Sequence, residues 1–179
     1  MKVELKSSDG TTKEITAERI AKHIPRESEG VEISRILDDG FRVSLGVLTT
    51  EDLTKITLDV AEYAAKNLGG EDLPEAEACV AAARERLVKM EPGVVPAFRA
   101  ALHKYGVEAD TTMTRRAAFA GNAATNSFFG VLGYHANGMA TLACAAEAAG
   151  LADEERYYHL KNAEWERQSK YILSYLSQK

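Results

Sequence analysis

The sequence predicts a mainly α protein with a small α+β N-terminal part: a ββαββ module over residues 1–48, then an Ala-rich bundle of about six helices over residues 49–179. Two observations set this division. Asp-Gly pairs flanked by alternating apolar residues punctuate the chain before Thr49, and apolar residues recur at helical spacing between Gly and Pro breaks after it. A third places the core: from Ala117 to Ala146 there is no Lys, Arg, Asp or Glu, and Ala, Gly and Asn dominate.

The elements follow in order. Lys2 to Ser7 and Thr11 to Ile15 read as strands around Ser8-Asp9-Gly10, where Asp-Gly supplies the positive φ angles of a tight hairpin. Ala17 to Ile24, after Thr16 as N-cap, reads as a short helix stopped by Pro25. Val31 to Leu37 and Phe41 to Leu48 then flank Asp38-Asp39-Gly40 as a second hairpin. Thr49-Thr50-Glu51-Asp52 resembles a capping box, and Leu53, Ile56, Val60, Ala64 and Leu68 continue at helical spacing until Gly69-Gly70. The next helix starts near Asp72 with Pro74 early, carries the stripe Ala76, Cys79, Ala83, Leu87 and Met90, and breaks at Glu91-Pro92-Gly93. A third covers Val94 to Tyr105. A fourth runs from a cap at Asp110 or Thr111 to Gly130, and a fifth from Gly133 to Ala149. Both are small or apolar on nearly every side, which suits the centre of a bundle where backbones approach closely. The last helix opens at Asp153-Glu154-Glu155, favourable for its dipole, and places Tyr158, Trp165, Ile172 and Leu176 on one face.

Composition narrows the function classes. A formal charge of −5 argues against nucleic acid as a partner, because a binder of phosphates displays a basic face. The acidity is concentrated in residues 49–110, with seven Lys or Arg against twelve Asp or Glu, so a basic protein partner is the complementary expectation. The charge-free stretch is long enough to span a membrane, but its Asn, Thr, Ser, His and Gly content and few large aliphatics predict buried helix in a soluble fold. The opening MKVELKSSDG lacks the apolar core of a signal peptide, which makes cytoplasmic residence the expectation. Cys79 and Cys144, both in Ala-rich helical pattern, read as buried free thiols.

No metal or cofactor is expected. His23, His103, His135 and His159 belong to none of the spacings that put two ligands on one helix face, and no phosphate loop or nucleophile elbow occurs, so the chain reads as a non-enzyme. Three groups remain as candidates. Asn122, Asn126, His135 and Asn137 in the charge-free stretch could line a small-molecule pocket, or hydrogen-bond between helices, since buried amides need several partners. Glu71, Asp72, Glu75 and Glu77, with Asp59, Glu62 and Glu85 nearby, could present a negative docking surface, or follow helix-start preference for carboxylates. Arg84, Glu166 and Gln168 could join helices, and Trp165 could fill core or anchor a partner.

Three segments carry a family resemblance: Leu58 to Ala65 (LDVAEYAA), Pro74 to Leu87 (PEAEACVAAARERL) and Glu164 to Leu176 (EWERQSKYILSYL), with the Ala-rich stretch between the last two. From about Thr49 to Leu176 the chain resembles a family of immunity proteins of bacterial polymorphic-toxin systems. The resemblance implies a non-enzymatic protein that binds and neutralises a cognate toxin, and it assigns Asp59, Glu62, Arg84, Glu166 and Gln168 to motif positions. Residues 1–48 lie outside it, and of the family's Ala-His pairs the chain retains the one in Tyr134-His135-Ala136. Two other readings share the same features: a phage or mobile-element inhibitor of a host protein, and a small-molecule binder or enzyme built on the central Asn/His cluster.

Overall fold

The computed structural model describes residues 2–6, 12–16, 50–89, 95–106, 113–134 and 136–178. Strands β1 (Lys2–Lys6) and β2 (Thr12–Thr16) pair antiparallel with Val3 opposite Ile15 and Leu5 opposite Lys13; the Ser8-Asp9-Gly10 turn lies outside the described residues, and Thr16, expected as a helix cap, belongs to β2. The helix expected over residues 17–24 and the second hairpin lie outside the described residues. Six α-helices follow among the described residues: α1 (Thr50–Asn67), α2 (Pro74–Lys89), α3 (Pro96–Tyr105), α4 (Arg115–Val131), α5 (Ala136–Gly150) and α6 (Tyr157–Ser177). The chain divides into two compact units, Met1–Leu53 with Asn162–Lys179, and Thr54–Lys161.

Within the Thr54–Lys161 unit, α4 packs against α2, α3 and α5. Its side chains explain this. Ala117, Ala120, Gly121, Ala123, Ala124, Ser127, Phe128 and Gly130 are buried around the helix, so neighbours approach on several sides. Cys79 on α2 sits close enough for its thiol to donate to the Ala124 carbonyl at 3.7 Å. Phe98 of α3 stacks on Phe128 with ring centroids 4.2 Å apart and meets Phe129 edge-on at 5.1 Å. On α1, Ile56, Leu58, Val60, Ala61, Ala64 and Ala65 are buried. The helix ends at the expected glycines, with Gly70 at φ 80°, a conformation that favours glycine. There the Arg116 guanidinium donates its Nε–H to the Leu68 carbonyl at 2.7 Å, which places a cation at the negative end of α1.

Helix starts shift from the expectation, α3 beginning at Pro96 rather than Val94 and α5 at Ala136 rather than Gly133, and two of the shifts change the cap. Thr114, not Asp110 or Thr111, caps α4: its hydroxyl accepts from the Ala117 N–H at 3.2 Å. The acidic triplet that was expected to open the last helix instead forms a 3-10 turn, Glu154–Arg156, with Asp153 capping it, and α6 begins at Tyr157. Tyr158 is 57% exposed while Trp165 and Ile172 are 2% and 3% exposed, so Tyr158 does not share their buried face. In the unit that holds the rest of α6, the Tyr175 hydroxyl donates to the Asp52 carboxylate at 3.0 Å.

Candidate functional site

The candidate residues fall into separate groups. Asp59 and Glu62, one helical turn apart on α1, project to the same side. Arg84 reaches them from α2, donating from Nη2 to Asp59 and, at 2.7 Å, to Glu62 Oε2. Lys66 adds a second cation on Glu62 at 2.6 Å. The Lys66 and Arg84 hydrogen bonds hold the Glu62 carboxyl below its usual range. With the Arg84, Asp59 and Glu62 side chains 39%, 35% and 37% exposed, water screens the group, and each pair is worth about 0.2–1 kcal/mol. These are carboxylates already neutralised by the chain's own cations.

Glu75, in the first turn of α2, is similarly committed. Lys104 of α3 donates to its Oε2 at 2.7 Å and the Tyr105 hydroxyl donates to the same oxygen at 3.2 Å. The Lys104 hydrogen bond lowers the Glu75 carboxyl below its usual range, and burial, then the Glu75 charge, raises the Tyr105 phenol above its own. Glu71, Asp72 and Glu77 behave differently. All three are exposed, and none makes a hydrogen bond or ion pair with another of the described residues. They stand at the entry to α2, where helix N–H groups also favour negative charge.

Farther along the chain, Glu166 is exposed and pairs with Lys170 at 2.7 Å. Trp165 and Gln168 are 2% and 1% exposed. Gln168 donates from Nε2 to Glu164 at 2.9 Å, and Arg167 grips the same carboxylate with two N–H groups at 2.7 Å each, so Glu164 is the hub of this segment. A buried indole supplies packing and offers no ring face for an incoming partner.

The polar residues of the charge-free stretch meet between α4 and α5. Asn137 donates its side-chain N–H to Asn126 Oδ1 at 2.8 Å, and Asn126 donates to the Asn122 carbonyl at 2.9 Å and to Cys144 Sγ at 3.8 Å. Thr125 and Thr141 return their hydroxyls to the carbonyls one turn back, at 3.1 Å to Asn122 and 3.0 Å to Asn137. The amides of Asn126 and Asn137 are therefore engaged with each other and with backbone, the pattern of an interhelical tie. His135 lies outside the described residues. Both thiols are free. Burial pushes Cys79 up to about 12, and burial, then the Glu147 charge, pushes Cys144 up to about 11, so neither is a thiolate near neutrality.

Sequence reasoning missed one group. Glu147 of α5 accepts from the Tyr157 hydroxyl and from Lys161 Nζ, and Lys161 also donates to the Tyr157 oxygen at 3.2 Å. The Lys161 and Glu147 side chains are 5% and 26% exposed. Two signals were present: Glu147 is the first charge after the charge-free stretch, and Tyr157 and Lys161 stand four residues apart on one helix face.

Among the described residues no group of three or more His, Cys, Asp or Glu is placed to hold a metal ion, and no helix is long and apolar enough to cross a membrane. No family model, curated protein or solved structure matches the chain.

Proposed function

We propose that the chain works by binding a protein partner, as an immunity-type protein that neutralises a basic toxin domain, and that the contact is centred on the acidic entry to α2. One observation carries the reading. In the acidic part of the chain, Asp59, Glu62, Glu75 and Glu85 are each held by a cation of their own fold, whereas Glu71, Asp72 and Glu77 stay exposed with no such cation among the described residues. Charge left uncompensated at a surface speeds association with an oppositely charged partner. In this reading Arg84, Asp59 and Glu62 brace the scaffold, and Trp165 and Gln168 serve packing. Cytoplasmic residence and the ββαββ organisation of residues 1–48 belong with the same proposal. The Asn126–Asn137 tie weighs against the small-molecule alternative, since its amides are already engaged.

Co-purification from the native host tests it, together with co-expression against neighbouring toxin-like genes. The expected result is capture of a basic protein that salt releases and protection by the chain against that toxin alone, both lost when Glu71, Asp72 and Glu77 are changed together to Lys. Capture and protection that survive this triple reversal would refute the assignment of the surface.

A further inference from the structure

Asn137-Gly138 is the one Asn-Gly pair in the chain; Asn67, Asn122, Asn126 and Asn162 precede Leu68, Ala123, Ser127 and Ala163. The pairing has its own chemistry. The backbone nitrogen that follows an asparagine can close a five-membered ring on the side-chain amide carbon, and only glycine leaves that approach clear of a Cβ. An asparagine before glycine is therefore the most labile amide a chain carries, and here it lies in the hydrogen-bonded seam between α4 and α5.

The fold keeps this pair both within reach of the reaction and restrained from it. Asn137 and Gly138 follow Ala136 at the start of α5, so the Gly138 N–H is one of the first-turn groups that no carbonyl of the same helix accepts. The Asn137 N–H reaches the Tyr134 carbonyl at 3.0 Å, and just before it Tyr134 is exposed and Gly133 turns at φ 96°. Helix ends of this kind are where local opening costs least. Two restraints act against the ring closure. Helical backbone at Asn137 holds the Gly138 nitrogen away from the side-chain carbon. The Asn137 amide is also pinned to α4, donating to Asn126 Oδ1 at 2.8 Å, while Asn126 is itself held by the Asn122 carbonyl at 2.9 Å.

We propose that Asn137 is a self-modification site, at which the chain's own Gly138 nitrogen and water deamidate the side chain, and that the bond to Asn126 sets the rate. The Gly138 nitrogen bonds to Asn137 Cγ, the Cγ–Nδ2 bond breaks, and ammonia leaves carrying the Gly138 proton. One water then opens the cyclic imide, at Cγ to give aspartate or at the main-chain carbonyl to give isoaspartate, whose backbone runs through an extra methylene. Nothing is oxidised or reduced, and water is the sole co-reactant. Either product lacks the N–H that Asn126 Oδ1 accepts and sets a carboxylate against that oxygen, so the tie between α4 and α5 is cut irreversibly. This inference does not rest on the toxin reading.

Peptide mass spectrometry of the full chain, sampled during incubation at mildly alkaline pH with and without urea, reads it directly as exchange of NH2 for OH at Asn137. In urea Asn137 should convert well ahead of Asn162, and Gly138→Ala, read in urea where no fold is required, should slow it severalfold. In the native chain the conversion should proceed, but about tenfold or more slowly than in urea, since the first turn of α5 must open. Asn126→Leu should speed the native reaction by about threefold or more, as loss of one hydrogen bond implies. Cys79→Ala, which loosens α4 on its α2 side, should leave the native rate unchanged, and far-UV circular dichroism checks that both variants keep their helices. Asn137→Asp, the first product made directly, should melt below the parent. Conversion of Asn137 in urea no faster than Asn162 overturns the proposal, as does a native amide that never converts. So does an Asn126→Leu protein that reacts at the parent rate, or a Cys79→Ala protein that speeds up equally.

Discussion

Two glycines of α4, nine residues apart, are expected to respond to the same substitution with opposite sign. Replacing Gly by Ala inside a helix gains up to about 1 kcal/mol from reduced backbone freedom. At Gly121 a Cβ would stand 2.2 Å from Tyr105 Cγ and 2.3 Å from Cδ1, where carbon atoms in contact prefer about 3.5–4.0 Å. The ring would have to withdraw by more than about 1 Å. Tyr105 is fully buried, 0% exposed, and its hydroxyl is held by Glu75 at 3.2 Å, so it has nowhere open to go. Overpacking of this kind costs about 1–3 kcal/mol, which outweighs the backbone gain and leaves Gly121→Ala destabilised by about 1–2 kcal/mol. At Gly130 a Cβ would meet nothing within 4 Å, so Gly130→Ala keeps its gain of about 0.5–1 kcal/mol. Urea denaturation followed by far-UV circular dichroism, with a common slope, measures both. Combining Gly121→Ala with Tyr105→Ala should recover part of the loss, because the obstructing ring is gone. A Gly121→Ala protein as stable as the parent, or a less stable Gly130→Ala protein, would refute the reasoning.

The remaining predictions concern charge and thiols. Glu147→Gln deprives the buried Lys161 ammonium of this carboxylate and should cost several times more than Lys161→Met, about 3 against less than about 1 kcal/mol by denaturant titration; equal losses would contradict the burial asymmetry. Arg84→Gln should cost about 0.5–1 kcal/mol at low salt and less at high salt, and a loss indifferent to ionic strength would mean that Arg84 acts through packing. Glu62 and Glu75 have folded-state pKa values lowered below their unfolded ones, so their contribution is present above the unfolded carboxylate range and is lost as pH falls through the folded values. Melting temperatures of Glu62→Gln and the parent should therefore converge in acid and separate toward neutrality. With thiols at about 12 and about 11, alkylation by iodoacetamide at mildly alkaline pH should be slow in the native protein and fast in urea, with half-exposed Cys144 reacting ahead of buried Cys79. Rapid native labelling of Cys79, read by mass spectrometry, would show that the core around Ala124 opens.

The helices were legible because each has a local reason to start or stop. Thr50-Glu51-Asp52 opens α1 and Gly69-Gly70 closes it; Pro74 and Pro96 sit in first turns, where a missing N–H costs nothing. The misplaced starts lie where several polar candidates compete. Asp110, Thr111 and Thr114 can all cap by chemistry, and only the path of the chain selects Thr114. The acidic triplet at 153–155 suits a helix N-terminus in either geometry, so its composition does not distinguish a 3-10 turn from α-helix. Tyr158 illustrates a different limit, because helical spacing from Trp165 places it on a face but does not say whether that face is still covered one turn from the helix start.

The charged residues show how much of a surface depends on pairing. Spacing along one helix identified Asp59 and Glu62 as neighbours, yet nothing in a linear pattern says that Arg84 and Lys104, 22 to 29 residues away from the carboxylates they meet, arrive to neutralise Glu62 and Glu75. An acidic segment is therefore not the same thing as an acidic surface. Among the described residues the fold separates carboxylates that fasten helices from Glu71, Asp72 and Glu77, which are exposed and outside any ion pair with another described residue. The same sorting applies to the asparagines. Their density in the charge-free stretch favours an interhelical tie over a pocket, and the direct Asn137 to Asn126 bond, with Cys144 accepting from the same Asn126 amide, makes them a polar seam between α4 and α5.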